Sequence, residues 1–434
     1  MQIPFIKFLA ALLTFTSFAV LAEPLPSDKA AAPVELRLFA GGKSARPDLL
    51  RKVLDEYQAA HPQVKISISI GSATSELQRK YLTTLLNAKD ATYDAILLDI
   101  INPAQFASAQ WIEPLNSYLG DDAEALFKDF LPVYRQADWY KEQVIALPAY
   151  SDAMFMFYRK DLTAKYGIAE PQTWAELAQA SKTILAGEQS SSREGSQLEG
   201  LSIQGAAIEG AVCTFLLPYW SQGGDLIDGE GRLDFNQAQA RDSFNLWLDL
   251  INQGVIGKNA AEVTTNDTLN KFKAGKAVFA INWGFAWDKF QQDADSAVRD
   301  KVGIIRLPAV TGGQHSTCVG GGQWAVSAFS RHKQETVALI RHLSSPHVSR
   351  FFALNGGLLP TRTALYSDSE ILGTLPWLRL AEPVLLSAKS RPVTPRYGEV
   401  SNTVRATTSA VLSGVLSVDD GVAELDRRLT KTLR

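Results

Sequence analysis

The chain has 434 residues, of which 46% are apolar and 21% are charged, and its formal net charge at pH 7 is −3. These proportions are typical of a globular protein, and the length favours two domains or lobes over one. Because the charge is close to neutral, no basic face is indicated and nucleic acid is not expected as a partner.

The first 22 residues differ in composition from the rest of the chain. Lys7 provides a positive charge, and the stretch from Phe8 to Leu21 is apolar apart from three hydroxyl side chains. This run is too short for a comfortable transmembrane helix, so it predicts a secretory signal peptide over residues 1–22 and a periplasmic location. An uncleaved anchor is the alternative. Residues 23–33 are expected to form a disordered leader.

Strands and helices are predicted to alternate from residue 34 onward. The apolar spacing indicates a strand at 34–38, a helix from Pro47 to Tyr57, a strand at 64–70, a helix at about 75–89 and a strand at 95–98. This order predicts an α/β fold with a parallel sheet and right-handed crossovers. Ligands of such sheets lie beyond the carboxyl ends of the strands, and these ends lead into the loops at 40–45, 71–75 and 99–103.

A third helix signal lies in the middle of the chain. Thr173 and Glu176 have the spacing of a capping box, and the apolar pattern that follows predicts a helix that ends at Gly187. Residues 188–199 are polar and are expected to form a surface loop.

The patterns for phosphate, metal and catalytic sites are incomplete. Residues 41–44 resemble the end of a phosphate-binding loop, but Arg37 stands where the first glycine is required. Residues 225–235 lack the spaced ligands and the closing glutamate of a calcium loop. The five histidines form no zinc-protease pattern. We therefore expect no cofactor, no metal site and no catalytic residue.

The two cysteines, Cys213 and Cys318, could pair in an exported protein. Geometry decides whether a disulfide forms, and two cysteines far apart in sequence are weak evidence for one. The sequence therefore does not favour a disulfide.

Four segments place aromatic rings beside compact polar groups at predicted loops: 147–152, 282–287, 319–324 and 390–397. The C–H faces of a sugar stack on aromatic rings, and its hydroxyls bind carboxylates, amides and guanidinium groups. Any one of these tryptophans is equally well explained as a core residue. Together, the segments indicate a polyol or sugar as the ligand.

A set of motifs occurs in order along the chain. The motifs are Leu98-Asp99, Phe106-x4-Trp111-Ile-Glu-Pro-Leu115, Leu147-Pro-x-Tyr-x-Asp152, Tyr158-Arg-Lys-Asp-Leu162, Pro171-x-Thr-Trp174, Asn282-Trp283, the Gly320 region followed by Ala-Val-Ser327, and Arg391-Pro-x-x-Pro395. With these motifs, the chain from residue 34 to the end resembles the extracellular solute-binding proteins of the maltose-binding family. The resemblance is strongest to the trehalose/maltose-binding branch.

This resemblance implies a type II-like periplasmic-binding-protein fold of two α/β lobes, with the ligand in the cleft between them. Lobe 1 would comprise residues 34–150 and about 320–372, and lobe 2 residues 151–316 and about 376–434. The family closes around its ligand by a hinge motion, and the closed form is recognised by the membrane permease subunits of an ABC importer. A monomer is expected.

The resemblance also implies a set of sugar contacts. Asp99 and Asp152 would accept hydrogen bonds from sugar hydroxyls and Arg391 would donate them. Trp283 would stack on a pyranose ring, and Tyr150 would stack or donate. The further candidates are Ser44, Arg46, Phe285, Trp287, Gly320, Gly321, Gln323 and Trp324.

Some positions depart from the pattern of the trehalose/maltose-binding branch. Arg46 stands in place of a glutamate, Ala73 in place of a threonine, and Phe285 where a hydroxylated ring can occur. The second tryptophan falls on Gly322, unless Trp324 takes its place. The ligand expected is therefore an α-linked disaccharide such as trehalose or maltose, or a related glucoside. Arg46 would suit an acidic sugar derivative, although a solvated arginine at a helix start is the simpler interpretation.

Two alternatives remain open at this point. A secreted glycosidase would need two carboxylates about 5–9.5 Å apart, a distance that sequence does not supply. The same fold could instead bind a non-sugar solute such as a polyamine, a metal chelate or a peptide. The mixture of tryptophan, aspartate and arginine favours a neutral polyol over a cation.

Overall fold

The computed structural model describes Met1 and residues 33–120, 122–191 and 197–433. The predicted signal peptide and leader therefore lie outside the described residues, apart from their terminal positions. No helix in the described ranges has both the length and the apolar character that a membrane span requires.

The described strands and helices follow one another along the whole chain. The strands are β1 (Val34–Phe39), β2 (Val64–Ser69), β3 (Ala95–Asp99), β4 (Trp139–Tyr140), β5 (Gln143–Val144), β6 (Leu147–Arg159), β7 (Glu199–Ser202), β8 (Ala277–Trp283), β9 (Val302–Ile305) and β10 (Val319–Val326). The helices are α1 (Pro47–Ala60), α2 (Ser75–Asn87), α3 (Pro103–Ser108), α4 (Asn116–Leu119), α5 (Asp122–Lys128), α6 (Pro132–Asp138), α7 (Lys160–Lys165), α8 (Trp174–Ser191), α9 (Glu209–Ser221), α10 (Gln237–Asn252), α11 (Thr265–Lys273), α12 (Ala286–Gln292), α13 (Lys333–Leu343), α14 (Pro346–Gly356), α15 (Ser369–Thr374), α16 (Leu378–Leu386), α17 (Tyr397–Leu412) and α18 (Val418–Thr432).

The first five elements lie where the apolar periodicity predicts them. Helix α1 begins with Pro47 in its first turn and buries its apolar stripe, including Leu50 and Leu54, against the sheet. Helix α2 begins after Thr74, whose hydroxyl accepts a hydrogen bond from the backbone N–H of Leu77 at 3.4 Å. Local spacing and capping therefore account for this part of the fold.

Helix α8 is longer than predicted. It does not end at Gly187 but continues to Ser191. A Cβ atom at Gly187 would lie 2.3 Å from the Tyr166 ring, so this glycine provides space for packing rather than a helix end.

The main sheet has the strand order β2-β1-β3-β10-β6-β8-β7, with β9 also paired to β6. Strand β1 is parallel to β2 and β3, as predicted, but β10 runs antiparallel to both β3 and β6. Strand β6 pairs through residues 147–153 with β10 and through residues 154–159 with β8 and β9. One continuous strand therefore joins the two halves of the sheet.

These two halves are the two lobes of the molecule. We call the part built on β1, β2 and β3 lobe 1, and the part built on β7, β8 and β9 lobe 2. A separate apolar core in lobe 2 packs α8, α9, α10, α17 and α18 against the sheet, where Met154 and Met156 of β6 contribute to it. The two-lobed α/β fold is confirmed, whereas the exact residue boundaries of the lobes stay a prediction.

Cys213 of α9 and Cys318, the residue before β10, form a disulfide, with their Cα atoms 5.9 Å apart. The sequence did not favour this pairing, and the structure shows it. The residues are 105 positions apart in sequence, but α9 lies against the segment that leads into β10, and this contact cannot be inferred from spacing. The bond attaches a lobe 2 helix to a strand that runs back into lobe 1.

Candidate ligand-binding cleft

A cleft of about 750 Å³ lies between the two lobes. On the lobe 1 side it is lined by the loops that follow β1, β2 and β3, as the strand order predicts. On the lobe 2 side it is lined by the starts of α9 and α11 and by the residues that follow β8. Strands β6 and β10 contribute Tyr150, Asp152, Gly320 and Gly321 between these two walls.

The structure brings most of the predicted contact residues to this one cleft. Those that line it are Ser44, Arg46, Asp99, Tyr150, Asp152, Trp283, Phe285, Gly320, Gly321 and Arg391. They come from segments spread over nearly the whole described chain, so the fold assembles them rather than any local motif.

Three predicted residues do not line the cleft. Trp324 is 3% exposed and belongs to the lobe 1 core, where its strand position pairs with Leu97 and Leu147. Gln323 is fully buried in the same strand. Trp287 packs toward Trp377, with ring centroids 5.8 Å apart. Trp324 therefore does not replace the second tryptophan of the family pattern.

Two glycines of β10 provide space for aromatic rings in the cleft. A Cβ atom at Gly320 would lie 2.6 Å from Cζ3 of Trp283, and one at Gly322 would lie 2.6 Å from Cε1 of Tyr150. Each ring therefore packs directly on the strand backbone. A side chain at position 322 would therefore require the Tyr150 ring to move.

The carboxyl group of Asp152 is oriented by backbone N–H groups. Its Oδ1 accepts hydrogen bonds from Ala153 N at 2.8 Å and from Gly284 N at 2.7 Å. Burial raises the pKa of this carboxyl to about 7, and the backbone hydrogen bonds only partly oppose that effect. Asp152 is thus a buried acceptor that backbone N–H groups hold in place.

Arg391 is held by protein carboxylates at the base of the cleft. Its Nη2 lies 3.4 Å from Oδ1 of Asp99, and its Nη1 lies 3.2 Å from Oε2 of Glu209. Its Cζ lies 5.7 Å from the centroid of the Trp283 ring, within the range of a cation–π contact. Burial favours loss of the Arg391 proton, but Tyr397, Asp99 and Glu209 keep the pKa of the guanidinium above its ordinary value.

Asp99 connects Arg391 to the start of α2. The hydroxyl of Ser75 donates a hydrogen bond to Oδ2 of Asp99. Burial raises the pKa of Asp99, with Arg391 and Ser75 acting in the opposite direction. Asp99 and Arg391 are therefore a pair whose relative position is determined before any ligand binds.

Arg46 is occupied by acidic partners. Its Nε and Nη2 donate to the two carboxylate oxygens of Asp48 at 3.0 and 2.9 Å, and its Nη1 lies 3.9 Å from Asp288 of α12. Because both acids compensate its charge, Arg46 does not present a free cation, which argues against an acidic ligand.

Sequence reasoning missed Glu209, which lines the cleft and is 7% exposed. It is the one charged residue of α9, whose other twelve residues are uncharged and all buried. A single acid in such a helix is a usable signal, because buried carboxylates are rare unless they are paired. Within the described residues, no group of three or more histidines, cysteines or acids is arranged to hold a metal ion.

Comparisons with known proteins agree with this architecture. The model of the bacterial extracellular solute-binding protein family matches residues 42–348. A probable ABC transporter-binding protein of Deinococcus radiodurans is 30% identical over 358 residues, which cover 80% of this chain and 81% of the relative. A mannitol-binding protein of Pseudomonas aeruginosa is 22% identical, with 96% of each chain covered.

Among solved structures, the maltose-bound MalE3 of T. maritima superposes with a TM-score of 0.84 at 29% identity. The match covers 92% of this chain and 99% of that one. The family match, the Deinococcus relative and the shared two-lobed fold lead to one assignment: the chain belongs to the bacterial extracellular solute-binding proteins of ABC transporters, in the maltose-binding type of the family.

Proposed function

We propose that this protein captures a neutral sugar for an ABC importer, and that the sugar is an α-linked disaccharide such as trehalose or maltose, or a related glucoside. The observation that carries the proposal is the Trp283 ring, which lies on Gly320 beside Arg391 in a cleft that Asp99 and Asp152 also line. An indole face next to carboxylates and a guanidinium matches the two surfaces of a pyranose.

Each group has a defined role in this proposal. Trp283 stacks on a sugar ring, Asp152 and Asp99 accept hydrogen bonds from hydroxyls, and Arg391 donates. The Nε atom of Arg391 is buried and has no hydrogen-bond partner among the described residues. The volume of about 750 Å³ lies within the range of small-molecule sites, about 300–1,000 Å³.

The family location is extracellular or periplasmic, and the family works with membrane permeases. For this chain we propose export to the periplasm through residues 1–22, function as a monomer, and recognition of the closed form by the permease subunits. We also propose that the chain crosses between the lobes near 150–155, near 316–320 and again near 372–376.

A linear polyol is a second candidate, favoured by a specific observation. Trp287 and Trp324 lie outside the cleft and Gly322 replaces a further ring, so the stacking surface is smaller than the sequence pattern predicts. A polyol has no pyranose face and needs less stacking area. The relative from Pseudomonas aeruginosa, named for mannitol, supports including polyols in any test.

A thermal-shift screen of the mature chain tests the proposal, with trehalose, maltose, other glucosides, mannitol and ribitol as ligands. A ligand at about 100 times its dissociation constant should stabilise the protein by about 2.7 kcal/mol. Trp283→Ala should abolish the shift, whereas Trp287→Ala, outside the cleft, should retain it. A shift with mannitol or ribitol alone would select the polyol. No shift with any sugar or polyol would contradict the proposal, and hydrolysis of a disaccharide would identify an enzyme instead.

A further inference from the structure

The carboxylate of Glu209 is surrounded by donors from both lobes. Its Oε2 accepts hydrogen bonds from Arg391 Nη1 at 3.2 Å and from the Tyr397 hydroxyl at 2.6 Å. Its Oε1 accepts from Arg79 Nη1 at 3.5 Å and from the hydroxyl of Ser401. A carboxylate offers about four acceptor positions, so these four donors satisfy it.

The donors belong to elements on opposite sides of the cleft. Arg79 lies on α2 of lobe 1, whereas Tyr397 and Ser401 lie on α17 of lobe 2. Nearby, Glu76 of α2 accepts a hydrogen bond from the backbone N–H of Glu209. Arg405 of α17 lies 3.4 Å from Glu76. We call the charged side chains of these contacts the interlobe ion network, which consists of Glu76, Arg79, Asp99, Glu209, Arg391 and Arg405.

The network contains three carboxylates and three guanidinium groups. Burial opposes ionisation of Glu209, but the positive charges of Arg391 and Arg79, with hydrogen bonds from Ser401 and Tyr397, hold the pKa of its carboxyl below the ordinary value. Glu209 is therefore charged at neutral pH. Buried ions are tolerated when each keeps a counter-charge, and removing one partner leaves the others uncompensated.

The bonds that α2 and Asp99 make in this network cross from lobe 1 to lobe 2 and form only when the two lobes are together, whereas Tyr397 and Ser401 lie in the same lobe as Glu209. These bonds hold the first turns of α2 against α9 and α17, so any opening of the cleft that separates α2 from these helices must break them. Arg391 belongs both to this network and to the proposed sugar site, because it pairs with Glu209 on one side and with Asp99 on the other. The proposed sugar site and the contact between the lobes therefore both depend on the guanidinium group of Arg391.

We propose that Glu209 is a positioning residue with two linked effects. It holds Arg391 beside Asp99 so that both can bind the ligand, and through Arg79 it stabilises the closed form of the protein. The first effect rests on the proposed function, whereas the second concerns the protein alone and can be measured without any sugar.

Glu209→Gln tests both effects in the mature chain. The variant keeps the shape of the side chain but removes its charge. Affinity for trehalose or maltose, measured by calorimetry, should fall by about 10- to 150-fold, the range expected for the loss of a charged hydrogen-bond partner. In small-angle X-ray scattering, the ligand-free variant should have a larger radius of gyration than the ligand-free wild type, because fewer molecules are closed. Glu209→Asp, which restores the charge, should recover part of both properties.

Glu199→Gln is the matched control. Glu199 pairs with Lys271 and accepts the backbone N–H of Gly257, and all three residues lie in lobe 2 outside the cleft. The Glu199→Gln variant should be less stable than the wild type, but its affinity for the sugar and its radius of gyration should be unchanged. If it changes them as much as Glu209→Gln does, the effect is merely structural and the proposal is wrong.

The outcomes separate this proposal from the proposed function. If the wild type binds no sugar but Glu209→Gln opens the ligand-free protein, the sugar assignment fails and the closure role stands. If the wild type binds sugar and Glu209→Gln alters neither affinity nor the radius of gyration, the positioning role is wrong. A loss of affinity without opening would overturn the coupling between the two effects.

Should Glu209→Gln fail to fold, Arg79→Gln removes the same cross-lobe bond from the lobe 1 side. Arg79 is not one of the proposed sugar contacts, and it does not belong to the apolar core of lobe 2. Its variant should open the ligand-free protein in the same way, and an unchanged radius of gyration would contradict the closure role.

Discussion

Among the residues that the structure describes, two ionic contacts connect the lobes across the cleft, and they differ mainly in burial. In the interlobe ion network, the side chains of Arg391 and Glu209 are 1% and 9% exposed. In the contact of Arg46 with Asp288, the side chains are 22% and 25% exposed, and Asp48, which shares the arginine, is 61% exposed. The Glu209–Arg391 centre of the network is enclosed by protein, whereas Asp99 at its edge, at 24% exposed, and the contact of Arg46 are partly open to water.

This difference decides what each contact can contribute. Exposed ion pairs contribute about 0–1 kcal/mol because water and salt screen them. Breaking a buried pair by removing one partner costs about 3–5 kcal/mol, since the remaining charge is left without compensation. We therefore expect the two contacts, although they span the same cleft, to respond very differently to mutation.

Loss of Arg391 should have the largest effect. Arg391→Met leaves Asp99 and Glu209 facing each other without their shared cation, so the free energy of unfolding should fall by about 3–5 kcal/mol. Sugar binding should be lost as well. Urea denaturation and calorimetry measure the two effects. Arg46→Met is the matched control, and a stability loss as large in that variant would contradict the comparison.

Loss of the disulfide should have the next largest effect, because the bond holds α9, the helix that carries Glu209. Replacing both Cys213 and Cys318 by serine should lower the free energy of unfolding by about 2–5 kcal/mol, the usual range for a native disulfide. Urea denaturation of the variant and of the oxidised wild type would show this. We further expect weaker sugar binding, since α9 would be less firmly attached to β10. Equal stability of the two proteins would mean that packing alone holds α9 in place.

The buried acids Glu209 and Asp152 have different partners, and this difference predicts a pH dependence of ligand affinity that is intermediate in size. Glu209 has guanidinium partners and a lowered pKa, whereas Asp152 has backbone partners and a pKa raised to about 7. A sugar hydroxyl that donates to Asp152 favours its ionised form, so affinity should rise as the pH increases through about 7. Below that pH, affinity should fall by up to about tenfold per pH unit.

Calorimetry at pH 5.5 and pH 8 measures this effect, and Asp152→Asn should remove it. The pH dependence of the stability of the fold has the opposite sign. Because the folded-state pKa of Asp152 lies above its unfolded value of about 3.9, this group stabilises the ligand-free fold at low pH. That contribution should be lost as the pH rises from about 4 to 7. Affinity that is independent of pH would show that Asp152 does not accept hydrogen bonds from the ligand.

The exposed contact should show the smallest effect. Asp288→Asn should change affinity by less than about fivefold and stability by less than about 1 kcal/mol. The small effect should decrease further in 1 M salt, where the screening length is about 3 Å. Calorimetry at low and high salt provides the measurement. An effect of this variant equal to that of Glu209→Gln would mean that burial does not distinguish the two contacts.

The sequence by itself determined the local elements and much of the site. The alternation of β1, α1, β2, α2 and β3 could be predicted because periods of 2 and 3.6 residues are local properties of a chain. The family motifs identified Asp99, Tyr150, Asp152, Trp283 and Arg391, and the structure brings these residues to one cleft. Those predictions required only side-chain type and order.

Tertiary structure alone decided the rest. Trp324 and Trp287 have the composition of sugar contacts but pack away from the cleft, because strand register and the Trp377 contact determine where they point. Cys213 and Cys318 pair because two elements 105 residues apart lie together. Glu209 is surrounded by Arg79, Arg391, Tyr397 and Ser401, which are distant from it in sequence. A buried charge depends on its neighbours in space, and one of these neighbours, Arg79, reaches Glu209 only when the two lobes have come together.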